Sequence, residues 1–172
     1  MRRVTPRPLT AEAFAPYGEV ISAREDVERY PINYGATTRF NALARVDATT
    51  DGGAPVISIF RSTPLPLLVL KIMERHPVGS QAFMPLGGRP YLVAVAPAGA
   101  FDPAKIEVFL AAGDQGVNYA AGTWHHYSLA LGEVSDFLVV DRAGPGANLD
   151  EVVLGEAEQL QVMLPIGGGG PA

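Results

Sequence analysis

Apolar runs of 5–8 residues, separated by Gly, Pro and Asp, recur from residue 55 onward. They are Pro55-Val-Ile-Ser-Ile-Phe-Arg61, Leu67-Leu-Val-Leu-Lys-Ile-Met73, Tyr91-Leu-Val-Ala-Val-Ala96, Ile106-Glu-Val-Phe-Leu-Ala111, His125-His-Tyr-Ser-Leu-Ala-Leu131 and Ser135-Asp-Phe-Leu-Val-Val-Asp141. Runs this short suit strands, and turn residues at such spacing suit antiparallel sheets. A βαβ architecture needs helices between its strands, and no segment here is long enough to supply them. The pattern predicts an all-β sandwich or barrel.

Within the runs, Ile57, Ile59 and Arg61 oppose Ser58 and Phe60. In the last run Phe137 and Val139 share one face, Leu138 and Val140 the other, as expected for a strand covered on both sides. Thr10-Ala-Glu-Ala-Phe-Ala-Pro-Tyr-Gly18 predicts a short N-terminal helix, capped by Thr10 and stopped by Gly18. A second helix is expected near Gly155 to Leu160. No internal linker divides residues 1–165, so one domain is expected, followed by a disordered tail over 166–172.

Apolar residues make up 48% and charged residues 18%, a balance that permits a substantial core. The net charge of −5 offers phosphates no basic surface, which excludes a nucleic-acid footprint. With no cysteine, the chain has neither disulfides, thiolate ligands nor a cysteine nucleophile. No apolar run approaches the ~18 residues that span a bilayer, and no h-region follows the charged N-terminus. These features predict a cytoplasmic protein with no membrane partner.

The polar chemistry gathers around three histidines, His76, His125 and His126. Glu74 and His76 share a face by the period of two, at the end of an apolar run; His125 opens another. Imidazoles and a carboxylate at strand ends meet the needs of a metal or acid–base site, although three satisfied or surface histidines would look the same. The spacing Glu74-x-His76-x4-Gln81-x5-Gly87, followed by Gly122-x-x-His125, resembles the two metal-ligand motifs of cupins. Glu74 replaces the usual His and Gln81 the usual Glu, so a Glu74/His76/Gln81/His125 site would hold a divalent ion such as Ni, Zn or Mn less firmly. Alternatively these side chains bind substrate directly.

Longer segments carry a closer resemblance. Leu9–Gly18, Ile32-Asn-Tyr-Gly35 with Arg39, Ile57–Arg61, Glu74-Arg-His-Pro-Val-Gly-Ser-Gln-Ala-Phe-Met-Pro85, Gln115-Gly-Val-Asn-Tyr119, Gly122-Thr-Trp-His-His126 and Asp136–Arg142 are similar to the ureidoglycolate lyase family of the cupin superfamily. The resemblance implies a double-stranded β-helix (a jelly-roll barrel), usually a homodimer. It implies an enzyme of allantoin degradation that splits ureidoglycolate, the (S) form, into glyoxylate and urea.

That substrate is a hemiaminal bearing a carboxylate. Its cleavage needs the hydroxyl deprotonated and the departing nitrogen protonated, with no organic cofactor. Candidates for proton transfer are His125, His76 and Glu74; Glu74 could instead orient a histidine or ligate a metal. Arg61 and Arg39 offer a guanidinium fork for the carboxylate, whereas Arg142 is better read as closing a turn or a dimer contact. Gln81 and Asn33 could hydrogen-bond the urea amide, and His126 joins them as a substrate-binding candidate. Lys71 either faces the interior as a functional group or snorkels at an edge. Trp124, Phe83 and Met84 are assigned to packing. Two rivals remain: an amidohydrolase releasing ammonia and carbon dioxide from the same substrate, and a cupin-like binding protein with no turnover.

Overall fold

The computed structural model describes residues 1–165, so the expected tail over 166–172 lies outside the described residues. In chain order the elements begin with β1 (Arg2–Val4), β2 (Arg7–Pro8), α1 (Ala11–Phe14), β3 (Gly18–Ile21), β4 (Arg29–Ile32), β5 (Thr37–Phe40) and β6 (Ala54–Ser62). There follow β7 (Val69–Leu70), β8 (Ile72–Arg75), β9 (Gln81–Pro85), β10 (Tyr91–Ala96) and β11 (Glu107–Ala111). The chain continues through β12 (Gly116–Tyr119), β13 (Trp124–His125), β14 (Leu129–Ala130), β15 (Ser135–Ala143), β16 (Asp150–Val153) and β17 (Leu160–Val162).

Three layers result. A five-stranded sheet, β3-β12-β9-β15-β6, faces a larger one ordered β16-β8-β13-β10-β11-β2, with β14 also paired to β10. Between them lies one core, built from Phe14, Tyr17, Phe83, Tyr91, Val93, Val95, Phe109, Val117, Phe137 and Val139. A small sheet, β1-β17-β7, backs the large one. A second core there joins Leu70, Met73, Leu92, Ala94, Trp124, Leu154 and Leu160. Strand β10 belongs to both, its odd residues in the first core and its even ones in the second. That placement is why it reads as an unbroken apolar run. The architecture is a mainly-β, cupin-like sandwich whose sheets do not close into a continuous barrel.

Helix α1 starts as expected, with Thr10 Oγ1 accepting from Ala13 N at 3.2 Å. It ends earlier, at Phe14, and Gly18 instead opens β3. The helix expected near Gly155 to Leu160 is absent among the described residues. Gly155 there closes a turn, its carbonyl accepting from Glu158 N and Gln159 N, and the chain returns at once to β17. Burial of Leu160 and Val162 against the second core outweighs the weak local preference for helix.

Two runs expected as single strands are divided. Residues 67–73 split between β7 and β8, which belong to different sheets, with exposed Lys71 at the break. Residues 125–131 split between β13 and β14, both paired with β10. The outer face of β15 is covered only in part: Leu138 and Val140 are half-buried, and on neighbouring β6 Ile57 is 73% and Ile59 54% exposed.

Candidate active site

The ladder between the sheets fixes where the polar side chains meet. His125 pairs with Val95 on one side and Glu74 on the other, so all three point between the two large sheets. His76, two residues past Glu74, follows the same alternation. From the opposite sheet Gln81 pairs with Tyr119. Asp141 is the next cross-strand neighbour on the far side of Gln81, after the Val140–Ala82 pair. Turns at the strand ends hold the arrangement: Gly122 N donates to the His76 carbonyl at 2.8 Å, joining the two histidine-bearing segments.

Glu74, His76 and His125 each bring one ligand atom within 4.8 Å of the others. The rings of His76 and His125 lie 5.3 Å apart, and the Tyr119 ring stacks flat on His125 at 4.2 Å with a 3° interplanar angle. His76 Nδ1 donates to the Asn148 carbonyl at 2.7 Å, and His125 Nδ1 to the His126 carbonyl at 3.2 Å. A carbonyl can only accept, so each ring carries a proton on Nδ1, and Nε2 is the nitrogen left to face the site. Both Nε2 atoms are buried and have no partner among the described residues. Asn148 secures the His76 loop twice, since its Oδ1 also accepts from Val78 N at 2.9 Å.

Burial lowers the His125 pKa to about 3, aided by the neighbouring His76. The 3.7 Å approach of its Nδ1 to Glu74 Oε1 is therefore not an ion pair, and it is too long for a hydrogen bond. Burial raises the Glu74 pKa, while His76 nearby opposes the shift. Burial also raises the Tyr119 pKa, and Glu74 adds to that effect. The site thus holds a neutral His125 beside a carboxyl group with increased proton affinity.

The other expected residues are placed as follows. His126 is buried, with Nδ1 donating to the Tyr127 carbonyl at 3.0 Å, and lies outside the triad. Gln81 faces the site: Nε2 donates to Asp141 Oδ2 at 3.2 Å, and Oε1 is buried without a partner among the described residues. Arg61 lies on the outer face of β6 in a two-pronged pair with Asp136, at 2.7 and 2.8 Å. Asn33 and Arg39 belong to the exposed β4–β5 hairpin, where Asn33 Nδ2 donates to Thr37 Oγ1. Lys71 takes the edge position, lining a surface depression with Leu65, Leu67, Val69 and Tyr127. Arg142 closes a turn, donating to the Thr50, Asp51 and Pro145 carbonyls. Trp124 packs in the second core and donates Nε1–H to the Gly99 carbonyl.

Tyr119, Asp141 and Asn148 were not singled out by sequence reasoning. Tyr119 was detectable in principle, because it shares the alternation of Val117. Asp141 and Asn148 act through pairings between segments far apart in the chain, which no local pattern encodes.

The buried neutral histidines have a measurable consequence. His125 and His126 titrate near 3 and 4 when folded, against about 6.5 in an unfolded chain. The unfolded state therefore binds more protons below pH 6.5, and stability is lost as pH falls from there toward 4. A tenfold change in proton affinity is worth ~1.4 kcal/mol, so each histidine costs about 2 kcal/mol by pH 5. Glu74, whose folded pKa is raised, works in the opposite sense but is one group against two. Urea unfolding of chelator-treated protein should show a clearly lower midpoint at pH 5 than at pH 7; equal midpoints would contradict the neutral assignment.

The fold and site define a cupin-like sandwich with a carboxylate–bis-imidazole cluster between its sheets. The model of the family described as ureidoglycolate lyase matches residues 1–162. A protein of Burkholderia mallei (strain NCTC 10229) named ureidoglycolate lyase is 52% identical over 170 residues, covering 97% of this chain and 99% of its own length. Proteins of the same name are 55% identical in Burkholderia cepacia (85% of this chain, 83% of that one) and 48% identical in Azotobacter vinelandii strain DJ (96% and 100%). The chain belongs to the ureidoglycolate lyase family.

Proposed function

We propose that this protein is a ureidoglycolate lyase, an enzyme that cleaves (S)-ureidoglycolate to glyoxylate and urea in allantoin degradation. The observation that carries this reading is the part-buried Glu74/His76/His125 cluster, whose two buried Nε2 atoms have no partner among the described residues, in a chain of this family.

The reaction is an internal proton shift. The substrate hydroxyl gives up its proton, its oxygen becomes the aldehyde carbonyl, the C–N bond breaks, and the urea nitrogen takes up a proton. Water is not consumed. Glu74 suits this exchange, because burial brings its proton affinity closer to neutral pH than that of a solvated carboxylate. His125 is held neutral and stacked, which favours lone-pair donation over proton exchange. His76, anchored by Asn148, offers the second Nε2.

The same donors fit a divalent ion. Two imidazole nitrogens and a carboxylate suit Ni, Zn or Mn, and carbonyl acceptors on both Nδ1 atoms orient rings as in metal–histidine sites. Bound there by Glu74, His76 and His125, with Gln81 as a neutral fourth, such an ion would act as a Lewis acid on the substrate's oxygens. The chain's own contribution is to hold the three donors in place, keep His125 neutral and move the proton at Glu74. Arg39 and Arg61 both lie outside the cluster, so they would reach the substrate carboxylate only through rearrangement or a second copy.

A homodimer is supported by the exposed Ile57 and Ile59 beside half-covered Leu138 and Val140, an apolar sheet face that a second copy could bury. The absence of cysteine is in keeping with a cytoplasmic enzyme. No helix among the described residues is long and apolar enough to cross a membrane.

The test is product analysis. Chelator-treated protein is incubated with racemic ureidoglycolate, glyoxylate and urea are followed, and divalent ions are added back singly. Urea and glyoxylate in equal amounts, faster than spontaneous decay, are expected. Ammonia without urea would indicate the amidohydrolase, and saturable binding without turnover a non-catalytic binding protein.

A further inference from the structure

We infer that Asp141 is a positioning residue that locks the Gln81 amide with its oxygen turned into the site, so that the chain offers an acceptor there and not a donor. Gln81 is 5% exposed, and its side chain has two chemically distinct ends. Nε2 meets Asp141 Oδ2 at 3.2 Å, while Oε1 is buried with no partner among the described residues. An ionised carboxylate can only accept, so the end of the amide that faces Asp141 must be the NH2 group. Turning the amide over would set two oxygens against each other and leave the buried NH2 group unpaired.

The sheet makes this lock rigid. Gln81 lies on β9 between two antiparallel partners, with Tyr119 of β12 beside it and Asp141 of β15 on the other flank. Tyr119 in turn stacks on His125. Asp141 thus acts on the site only through Gln81, at the position where the cupin-like spacing calls for a fourth ligand. A free, inward-facing oxygen accepts either a divalent cation or an N–H of the ureido group. The second of these rests on the lyase reading; the first does not.

Three variants of the full chain test the inference: Asp141→Asn, Gln81→Glu, and both together. Asparagine keeps the size of Asp141 but lets the Gln81 amide turn over. Ni2+ is titrated calorimetrically into chelator-treated protein, and KM and kcat are measured separately with ureidoglycolate. If the oxygen serves a cation, Asp141→Asn weakens Ni2+ binding about tenfold without substrate present, within the range for residues that orient metal ligands. If it serves the ureido N–H, Ni2+ binding stays constant while KM rises with kcat largely retained. Gln81→Glu alone supplies a stronger, anionic ligand but sets it against the Asp141 carboxylate, so its Ni2+ affinity and thermal stability should stay below those of the double variant. Adding Asp141→Asn supplies a donor again, and the double variant should recover at least tenfold over Gln81→Glu in Ni2+ affinity or thermal stability. That comparison keeps the test decisive even where Asp141→Asn alone folds badly. Unchanged Ni2+ affinity and KM in Asp141→Asn, or no recovery in the double variant, would overturn the inference. A wild-type protein that makes no urea would overturn the lyase reading, while the Ni2+ titration still decides the role of Asp141.

Discussion

His125→Ala is expected to lower kcat/KM for urea release by about 10²–10⁴-fold, the range in which positioned catalytic groups contribute. The ring is 1% exposed, stacks on Tyr119 and has a buried Nε2 with no partner among the described residues. Removing it deletes one of three converging donors and opens a cavity beside the aromatic core. The cavity alone should cost about 2–4 kcal/mol. Activity and stability must therefore be separated. His125→Gln keeps much of the volume and hydrogen-bonding capacity while displacing the donor atom, so it should fold better than His125→Ala and remain nearly inactive. Steady-state kinetics with a thermal melt of each variant provides the check. Activity within about threefold of wild type in the Gln variant would remove His125 from the mechanism.

Gly18→Ala is expected to be among the most damaging single substitutions outside the site. Gly18 opens β3 at φ 146°, and a Cβ there would lie 1.9 Å from the backbone oxygen of Asn118. That oxygen belongs to the rigid ladder pairing β3 with β12, and flexible side chains are not what crowds it. The strand must shift or separate. A loss of about 3 kcal/mol or more follows, since steric conflict in a paired backbone belongs to the severe class of mutations. For a chain of this size that is roughly a 10 °C drop in melting temperature. Because β12 also carries Tyr119, His125 should lose its stacking partner's register, and activity should fall faster than stability. A melting temperature within 2 °C of wild type would show that the ladder yields at little cost.

Much of the architecture was legible along the chain. Phe137 and Val139 alternate with Leu138 and Val140, β10 is apolar throughout, and glycine and proline mark the turns, so a mainly-β sandwich follows from period and punctuation. Helix α1 was recognisable from Thr10, because an N-cap is a local hydrogen bond. The expected helix near Gly155 failed because its fate depends on burying Leu160 and Val162 against β7 and the second core, which lies far away in sequence. The split at Lys71 was hidden for a similar reason: β7 and β8 are continuous in hydrophobicity and separate only because different sheets claim them.

For the site, the sequence by itself determined the chemistry available: three imidazoles, Glu74 and Gln81 at cupin-like spacing, no thiols and no basic surface. Tertiary structure decided which of these meet. It brought Glu74, His76 and His125 within ligand distance, turned His126 to a separate backbone partner, and placed Arg39, Arg61 and Lys71 at the exterior. It also recruited Tyr119 and Asp141, which lie in segments resembling the family but had been given no role. Spacing along a strand tells which face a side chain takes, whereas strand pairing decides what it faces. Pairing is set by burying both cores at once, and that is a property of the whole molecule.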